Sequence, residues 1–175
     1  MRGQIILSHG SQSGPNATKV SVLAALAESL GWATQRPDYT ADDARGLGNS
    51  VAPRVARLRA TIEALDEPPV LVGSSLGAFV SGLVSLEVPV AGLLLLATPS
   101  AIPGYARSFD LRPNVPVLMI HGWHDDVCPL PGVQAIAASR RLPLLLLNDG
   151  HRLSENVGEI AAQFRLFLEK LKNPA

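Results

Sequence analysis

A serine between two glycines constrains this chain more than any other feature. Residues 69–80 read Pro-Val-Leu-Val-Gly-Ser-Ser-Leu-Gly-Ala-Phe-Val, so a short apolar run stops at Gly73 and a helix-compatible run begins at Leu76. The G-x-S-x-G pattern places Ser75 on a tight turn from strand to helix, where side-chain bulk two residues away is not tolerated. A hydroxyl held there lies at a helix N-terminus, which favours developing negative charge. The pattern predicts a nucleophilic serine, and the alternative is a glycine-rich turn that packs a helix on a sheet.

Along the chain, short apolar runs without polar alternation are followed in turn by segments with the apolar periodicity of a helix. We predict strands at residues 4–7, 32–36, 70–73, 90–97, 117–121 and 144–147. We predict helices at about 16–30, 50–65, 76–86, 132–141 and 154–171. Strands of this kind are buried on both faces, and their alternation with helices implies a parallel sheet. The prediction is one three-layer α/β domain over residues 1–175, with about six mostly parallel strands.

Three finer expectations concern the surface and the helix ends. Residues 38–49 and 99–116 are polar or proline-rich and are expected to be loops, the second with at most one short helical turn. Ser50 and Ser154 are expected to cap the helices that follow them. The basic residues that cluster on the second helix are expected to form a solvated face: Arg54, Arg57 and Arg59.

Composition excludes several classes of function. The 175 residues carry no formal net charge and their 15 basic residues are scattered, so no nucleic-acid footprint is predicted. A single cysteine, Cys128, cannot form an intrachain disulfide and is consistent with a reducing compartment. The first ten residues hold too few apolar side chains for a signal-peptide core, and the longest apolar stretch, 88–97, is too short to span a bilayer. We therefore expect a cytoplasmic protein.

Two predicted strands end in loops that carry the partners a serine nucleophile needs. Residues 121–129 read His-Gly-Trp-His-Asp-Asp-Val-Cys-Pro, and residues 148–152 read Asn-Asp-Gly-His-Arg. A serine must lose its proton to a histidine, which a carboxylate holds in the right tautomer. His151 is the predicted base. The carboxylates of the two loops that could hold it are Asp125, Asp126 and Asp149.

Together these segments resemble the small serine α/β-hydrolases. The matching pieces are the turn 73–77, the loop 121–129 and the pair Gly-His at 150–151. The family's acid loop commonly reads His-Gly-x-x-Asp-x-x-Val-Pro. This pattern implies Asp125 as the acid, with Asp126 as the main alternative and Asp149 as a lesser one, and leaves Cys128 where valine is usual. The resemblance also implies an oxyanion hole built from the backbone N–H groups of Ser11, after the His-Gly turn at 9–10, and Leu76.

The resemblance covers nearly the whole chain but has two departures. The family's first antiparallel strands are missing before residue 4, and the connection 99–116 is too short for a cap domain. The chain is thus similar to the minimal, lidless members, including those related to the retinoblastoma-binding-protein-like hydrolases. The implied activity is cleavage of a small carboxylic ester through an acyl-enzyme, without a cofactor. The alternatives are a thioesterase or amidase that uses the same residues, and a non-catalytic binding protein; the oligomeric state is open.

The other candidate residues have more ordinary expected roles. His9 and His121 are expected to hold loops through ring hydrogen bonds, and Cys128 is expected to be a packed thiol. Trp123 is expected either to wall the pocket or to lie in the core or at the rim, and Tyr105 and Phe109 rank low as substrate walls. A metal alternative lacks any established ligand spacing, so no metal is predicted; its ligands would be His121, His124 and Asp125 with His9 or His151.

Overall fold

The central element is a six-stranded sheet in which every strand is parallel to its neighbours. The computed structural model describes residues 2–172. Its strands are β1 (Gln4–Ser8), β2 (Ala33–Gln35), β3 (Val70–Ser74), β4 (Gly92–Leu96), β5 (Val117–Gly122) and β6 (Leu144–Leu147). They lie in the order β2-β1-β3-β4-β5-β6. The predicted fold class is confirmed, and the sheet is wholly rather than mostly parallel.

Helices cover both faces of this sheet and complete the three layers. They are α1 (Thr18–Ser29), α2 (Thr40–Asp43), α3 (Leu47–Glu63), α4 (Leu76–Glu87), α5 (Leu130–Arg140) and α6 (Val157–Lys172). Successive side chains of a strand point to opposite faces. Ile5 and Leu7 accordingly pack in the core under α1 and α6, whereas Ile6 packs in the core under α3, α4 and α5. Among the described residues no helix is long and apolar enough to cross a bilayer.

The connection between β4 and β5 is short and irregular, as predicted. Residues 97–116 contain turns and bends but no helix or strand, and so carry no cap domain. Phe109 is buried there, and its ring centroid lies 6.0 Å from that of Phe79 in α4. Tyr105 packs edge-on against the same ring at 6.1 Å. Both aromatic side chains therefore pin this connection to the core.

The segment 38–49 is only partly the surface loop that was predicted. It contains the short helix α2, and the side chains of Tyr39 and Asp42 are buried. The next helix begins at Leu47 rather than Ser50, after Gly46 with φ +88°. Ser50 lies inside that helix, where its hydroxyl donates to Leu47 O at 2.8 Å instead of capping. The last helix begins at Val157, three residues after the predicted cap Ser154.

The expectation of a solvated arginine face is wrong for one of its three members. Arg54 is fully buried, whereas the side chains of Arg57 and Arg59 are about half-exposed. The buried guanidinium is satisfied by Asp43 and by backbone carbonyls, which offsets the cost of removing it from water.

The strand order creates a crevice at the carboxyl ends of β1 and β3. From β1 the chain crosses by α1 to β2 on one side, and then returns by α3 to β3 on the other side. Such a reversal separates the loops that follow the two strands, and ligands of open α/β sheets bind there. Ser75 follows β3 directly and His9 follows β1.

Candidate active site

Ser75 sits on a strained turn between β3 and α4. Its backbone has φ +54° and ψ −118°, a conformation that non-glycine residues rarely adopt. Its N–H donates to Leu96 O at 2.8 Å, and its carbonyl accepts from the N–H groups of Ala78 and Phe79. These three hydrogen bonds hold the serine in place at the N-terminus of α4.

Two glycines allow α4 to lie this close to the sheet. A Cβ at Gly73 would lie 2.5 Å from Gly77 O and 2.6 Å from Ala78 Cα. A Cβ at Gly77 would collide with Ser8 O and lie 2.8 Å from His9 O. The glycines are therefore required by close backbone approach and not by positive φ. They let the turn that carries Ser75 pack against the end of β1.

The structure brings Ser75, His151 and Asp125 into one hydrogen-bonded chain. The Ser75 Oγ lies 3.0 Å from His151 Nε2. The other ring nitrogen, His151 Nδ1, lies 2.8 Å from Asp125 Oδ2 and 3.0 Å from Oδ1. The Asp125 side chain is fully enclosed, whereas that of His151 is 19% exposed. Three separate loops, after β3, β5 and β6, supply the three side chains.

The protonation state of these three hydrogen-bonded side chains follows from the environment of Asp125. Burial is the largest influence on this carboxyl and raises its pKa, but hydrogen bonds from His151 and from the Cys128 N–H outweigh it, so the pKa of Asp125 is lowered. An ionised carboxylate only accepts hydrogen bonds, so His151 Nδ1 must carry the proton that it donates. In the neutral ring Nε2 then accepts from the Ser75 hydroxyl.

The other two candidate acids, Asp126 and Asp149, are placed differently from Asp125. Asp126 is exposed on the loop after β5. Asp149 is buried, and its Oδ2 accepts from the N–H groups of Glu155 and Asn156 at 3.0 and 3.1 Å and from Asn156 Nδ2 at 3.0 Å. Its Oδ1 accepts from Gly150 N–H at 2.8 Å. Asp149 thus fastens the loop that carries His151 to the start of α6, a role that the sequence analysis missed.

His9 and His121 both make the ring hydrogen bonds expected of loop-holding histidines. His121 Nε2 donates to Cys128 O at 2.8 Å and lies 3.3 Å from Asp125 Oδ2, so it supports the acid loop. His9 Nε2 accepts from the Tyr39 N–H at 3.0 Å, and its Nδ1 donates to Gly10 O at 2.7 Å. Burial lowers the pKa of His9, which keeps this ring neutral.

Cys128 lies beside the acid and raises the question of a metal. One donor atom each from Asp125, Cys128 and His151 falls within a 4.8 Å cluster. Metals bind the thiolate, but burial and the negative charge of Asp125 raise the pKa of the Cys128 thiol to about 12. The carboxylate and both ring nitrogens are already hydrogen-bonded to one another and to Ser75. This donor set fits a proton-transfer chain and fits a metal site poorly.

The two backbone N–H groups expected at an oxyanion hole, those of Leu76 and Ser11, belong to the residue after the serine and to the loop after β1. Leu76 is the first residue of α4, so its N–H has no intrahelical acceptor. The loop that carries Ser11 passes Ser75 closely, since a Cβ at the preceding Gly10 would lie 3.4 Å from Ser75 Cβ. Within residues 2–172 neither N–H donates to a side chain or to the backbone of another element.

The loop that carries Asp125 also presents two apolar side chains to solvent. Trp123 and Val127, on the loop that carries Asp125, are 53% and 64% exposed. Trp123 is therefore a surface residue and does not lie in the core. A surface depression of about 440 Å³ lies elsewhere, between α5 and residues 107–111, and none of the three hydrogen-bonded side chains lines it.

A parallel sheet with a serine turn after its third strand is the arrangement of an α/β-hydrolase. A Xanthomonas campestris pv. campestris protein described as belonging to the hydrolases of the α/β superfamily is 42% identical to this chain, with a TM-score of 0.88. The match covers 97% of this chain and 98% of the Xanthomonas chain. The chain therefore belongs to the α/β-hydrolase superfamily, and this membership supports a hydrolase activity.

More distant solved structures share the fold. Mouse α/β hydrolase domain-containing protein 10 is 21% identical, with a TM-score of 0.78 over 96% of this chain and 90% of its own. A monoacylglycerol lipase from Paleococcus ferrophilus is 16% identical, with a TM-score of 0.76 over 96% of this chain and 95% of its own. No family model and no curated protein matches the chain.

Proposed function

We propose that this chain is a serine hydrolase that cleaves small carboxylic esters through an acyl-enzyme. The observation that carries the proposal is the hydrogen-bonded chain from Asp125 through His151 to Ser75, with distances of 2.8 and 3.0 Å. A nucleophile, a base and an orienting acid in this order are the minimum for nucleophilic acyl transfer.

In the acylation step Ser75 Oγ attacks the ester carbonyl carbon. The Oγ proton passes to His151 Nε2, and Asp125 stabilises the imidazolium through its bonds to Nδ1–H. The carbonyl oxygen becomes an oxyanion, which accepts from the N–H groups of Ser11 and Leu76. When the tetrahedral intermediate collapses, the ester C–O bond breaks and His151 protonates the leaving alcohol.

Deacylation repeats the sequence with water. His151 Nε2 takes a proton from the water that attacks the acyl-enzyme carbonyl, and the same two N–H groups hold the second oxyanion. Collapse releases the carboxylic acid and returns the proton to Ser75 Oγ. The position of Nε2 against Oγ suits both directions of transfer, since one ring nitrogen serves as base and then as acid.

The surroundings of the site support a small substrate. The irregular connection 97–116 is anchored to the core through Phe109, and no cap is inserted there to enclose a long acyl chain. The exposed indole of Trp123 offers one apolar surface beside the acid loop. The single cysteine, buried and free, also agrees with a protein that works in the reducing cytoplasm.

Active-site labelling tests this proposal. Purified protein is incubated with a fluorophosphonate probe and the labelled peptide is identified by mass spectrometry. We expect one label at Ser75 that is absent from Ser75→Ala, and p-nitrophenyl acetate hydrolysis that falls by several orders of magnitude in that variant. The control is Ser139→Ala, at an exposed hydroxyl on α5.

The outcomes separate the candidate functions. Full activity in folded Ser75→Ala would show that another group is the nucleophile. Absence of labelling in folded wild type would favour a binding protein with a hydrolase fold. With Ser75 labelled, matched panels of esters, thioesters and amides report which leaving group the site accepts, and we expect the highest kcat/KM for esters.

A further inference from the structure

Arg54 in α3 is a charged side chain enclosed by the core. It is fully buried, and guanidinium remains protonated in proteins. Its Nε and Nη2 donate to the two oxygens of Asp43 at 2.7 and 2.6 Å. The Tyr39 ring lies against it, with 4.6 Å from the guanidinium carbon to the ring centroid. These partners hold the guanidinium plane in a fixed orientation.

The remaining donors of Arg54 reach the loop that follows β1. Nη1 donates to His9 O at 2.7 Å, and Nη2 also donates to Gly10 O at 3.0 Å. The Gly10 carbonyl oxygen accepts a second hydrogen bond from the His9 ring at 2.7 Å. One peptide carbonyl is therefore fixed from two directions, by a buried cation and by a neutral imidazole.

This carbonyl belongs to the peptide unit that carries the Ser11 N–H. A trans peptide is planar, so its C=O and N–H point in opposite directions, and the described residues contain no cis peptide. An Arg54 that holds the Gly10 oxygen therefore also sets the direction of the Ser11 N–H, away from the guanidinium. A cation bound to the oxygen also polarises the unit and makes its N–H a stronger donor.

We propose that Arg54, held by Asp43, is a positioning residue that aims the Ser11 N–H at the oxyanion. This inference rests on the proposed function, in which Ser11 supplies one of two oxyanion donors. Arg54 touches neither substrate nor reacting atoms. Because the interaction it supports strengthens only as negative charge develops, its loss lowers kcat and kcat/KM together and leaves KM nearly unchanged.

A purely structural role for Arg54 predicts something different. Loss of a buried, paired cation lowers the free energy of unfolding because Asp43 is left without its partner. The molecules that remain folded would then keep their full kcat. Turnover per labelled Ser75 therefore distinguishes positioning from stabilisation, provided that the assay temperature lies well below the unfolding transition.

Kinetics of p-nitrophenyl acetate hydrolysis form the first arm of the test. We expect Arg54→Met to lower kcat by about 10- to 100-fold, somewhat less than the loss of an oxyanion donor itself, with KM within about twofold. Arg54→Lys keeps the charge and recovers part of that loss. The matched control is Arg57→Gln on the same helix, which breaks the ion pair between half-exposed Arg57 and buried Asp42. Arg57 donates no hydrogen bond to the loop after β1, so kcat of this variant should stay within about twofold of wild type.

The amide resonance of Ser11 forms the second arm and needs no turnover. We expect its ¹H–¹⁵N shift to move in the Arg54 variants and to stay in place in Arg57→Gln. If Arg54→Met fails to fold, the same measurements on Arg54→Lys and Asp43→Asn test the inference. Each of these variants weakens the contact between Arg54 and the Gly10 carbonyl and keeps a charged or polar group at the substituted position.

Two results would overturn the inference. One is an unmoved Ser11 resonance in folded Arg54 variants. The other is a moved resonance with kcat unchanged, or with the loss confined to KM. If wild type shows no Ser75-dependent turnover, the proposed function fails instead, and a moved resonance would still show that Arg54 orients this peptide.

Discussion

Replacement of Gly77 by alanine tests whether the close approach of α4 to β1 holds the site together. Gly77 is the second residue of α4, and Gly158 is the second residue of α6. Neither residue has positive φ, so alanine suits the backbone at both positions. A Cβ at Gly158 would meet nothing within 4 Å, whereas one at Gly77 would collide with Ser8 O. The pair therefore differs in close approach and not in helical position.

The magnitude follows from those contacts. Beside the collision with Ser8 O, the new Cβ would lie 2.7 Å from Ser8 C and 2.8 Å from His9 O. Favourable carbon contacts begin at about 3.5 Å, and these partners are backbone atoms that no rotamer change can move. Overpacking of this kind costs about 1–3 kcal/mol or more, and the helix propensity of alanine returns less than about 1 kcal/mol. Because the new Cβ would meet three backbone atoms, we expect a cost at or above the upper end of this range and a net loss of about 2–3 kcal/mol in the free energy of unfolding.

Urea and thermal unfolding followed by circular dichroism measure this difference. For a chain of this size each kcal/mol shifts Tm by about 2–4 °C, so Gly77→Ala should melt about 4–12 °C below wild type. Gly158→Ala should be equal to wild type or slightly more stable. The displaced turn should also lower kcat by about 10- to 100-fold, since a 1 Å shift of catalytic groups can cost that much. A Gly77→Ala protein as stable and active as Gly158→Ala would refute the reasoning.

Three further predictions concern acidic and thiol groups. The lowered pKa of Asp125 contributes folding stability above the unfolded-state pKa of about 4, and this contribution is lost as pH falls through the folded-state pKa. The difference in free energy of unfolding between wild type and Asp125→Asn should therefore become smaller below about pH 4. A difference that becomes larger there contradicts this prediction. Asp149→Ala should lower the free energy of unfolding, measured by urea titration, by about 2 kcal/mol or more, because several N–H donors lose their acceptor. Asp126→Ala should change it by less than about 0.5 kcal/mol. Cys128, with its thiol pKa raised to about 12 by burial and by Asp125, should resist iodoacetamide at pH 8 until urea unfolds the protein; rapid alkylation of the folded form, seen by mass spectrometry, would contradict this.

The hydrogen-bonded chain at the site was readable from sequence because each member has its own local signature. Ser75 lies between two glycines at a strand end, and His151 and Asp125 follow predicted strands in the order of the family. Parallel strands end at the same edge of a sheet, so strand prediction alone was enough to bring the three loops together. The resemblance of the loop 121–129 to the family's acid loop already favoured Asp125 over Asp126, and the coordinates show which of these adjacent residues contacts His151. The catalytic roles, and the N–H groups of Ser11 and Leu76, stay predictions.

The buried position of Arg54 and its partners were not predicted from the sequence. It lies three residues after Val51 and four before Leu58, on the flank of the apolar stripe of α3, a spacing that indicates burial. Its partner Asp43 lies in a polar segment whose composition is typical of a surface loop, and its other acceptors are backbone carbonyls. Every residue has a backbone carbonyl, so a hydrogen bond to one cannot be predicted from the type of residue that carries it. A buried charge can therefore be suspected from helical spacing, but its partners emerge only from the fold.

The position of β6 at the edge of the sheet gives the site an uneven resistance to unfolding. Within the described residues β6 is hydrogen-bonded to β5 alone, whereas β3 lies between β1 and β4. Edge elements open locally at a lower free-energy cost than central ones. His151 follows β6 and Ser75 follows β3, so mild denaturant should detach the base while the nucleophile stays on an intact scaffold. Activity should then vanish at a lower urea concentration than the helical signal, and native-state hydrogen exchange should show faster amides in β6 than in β3.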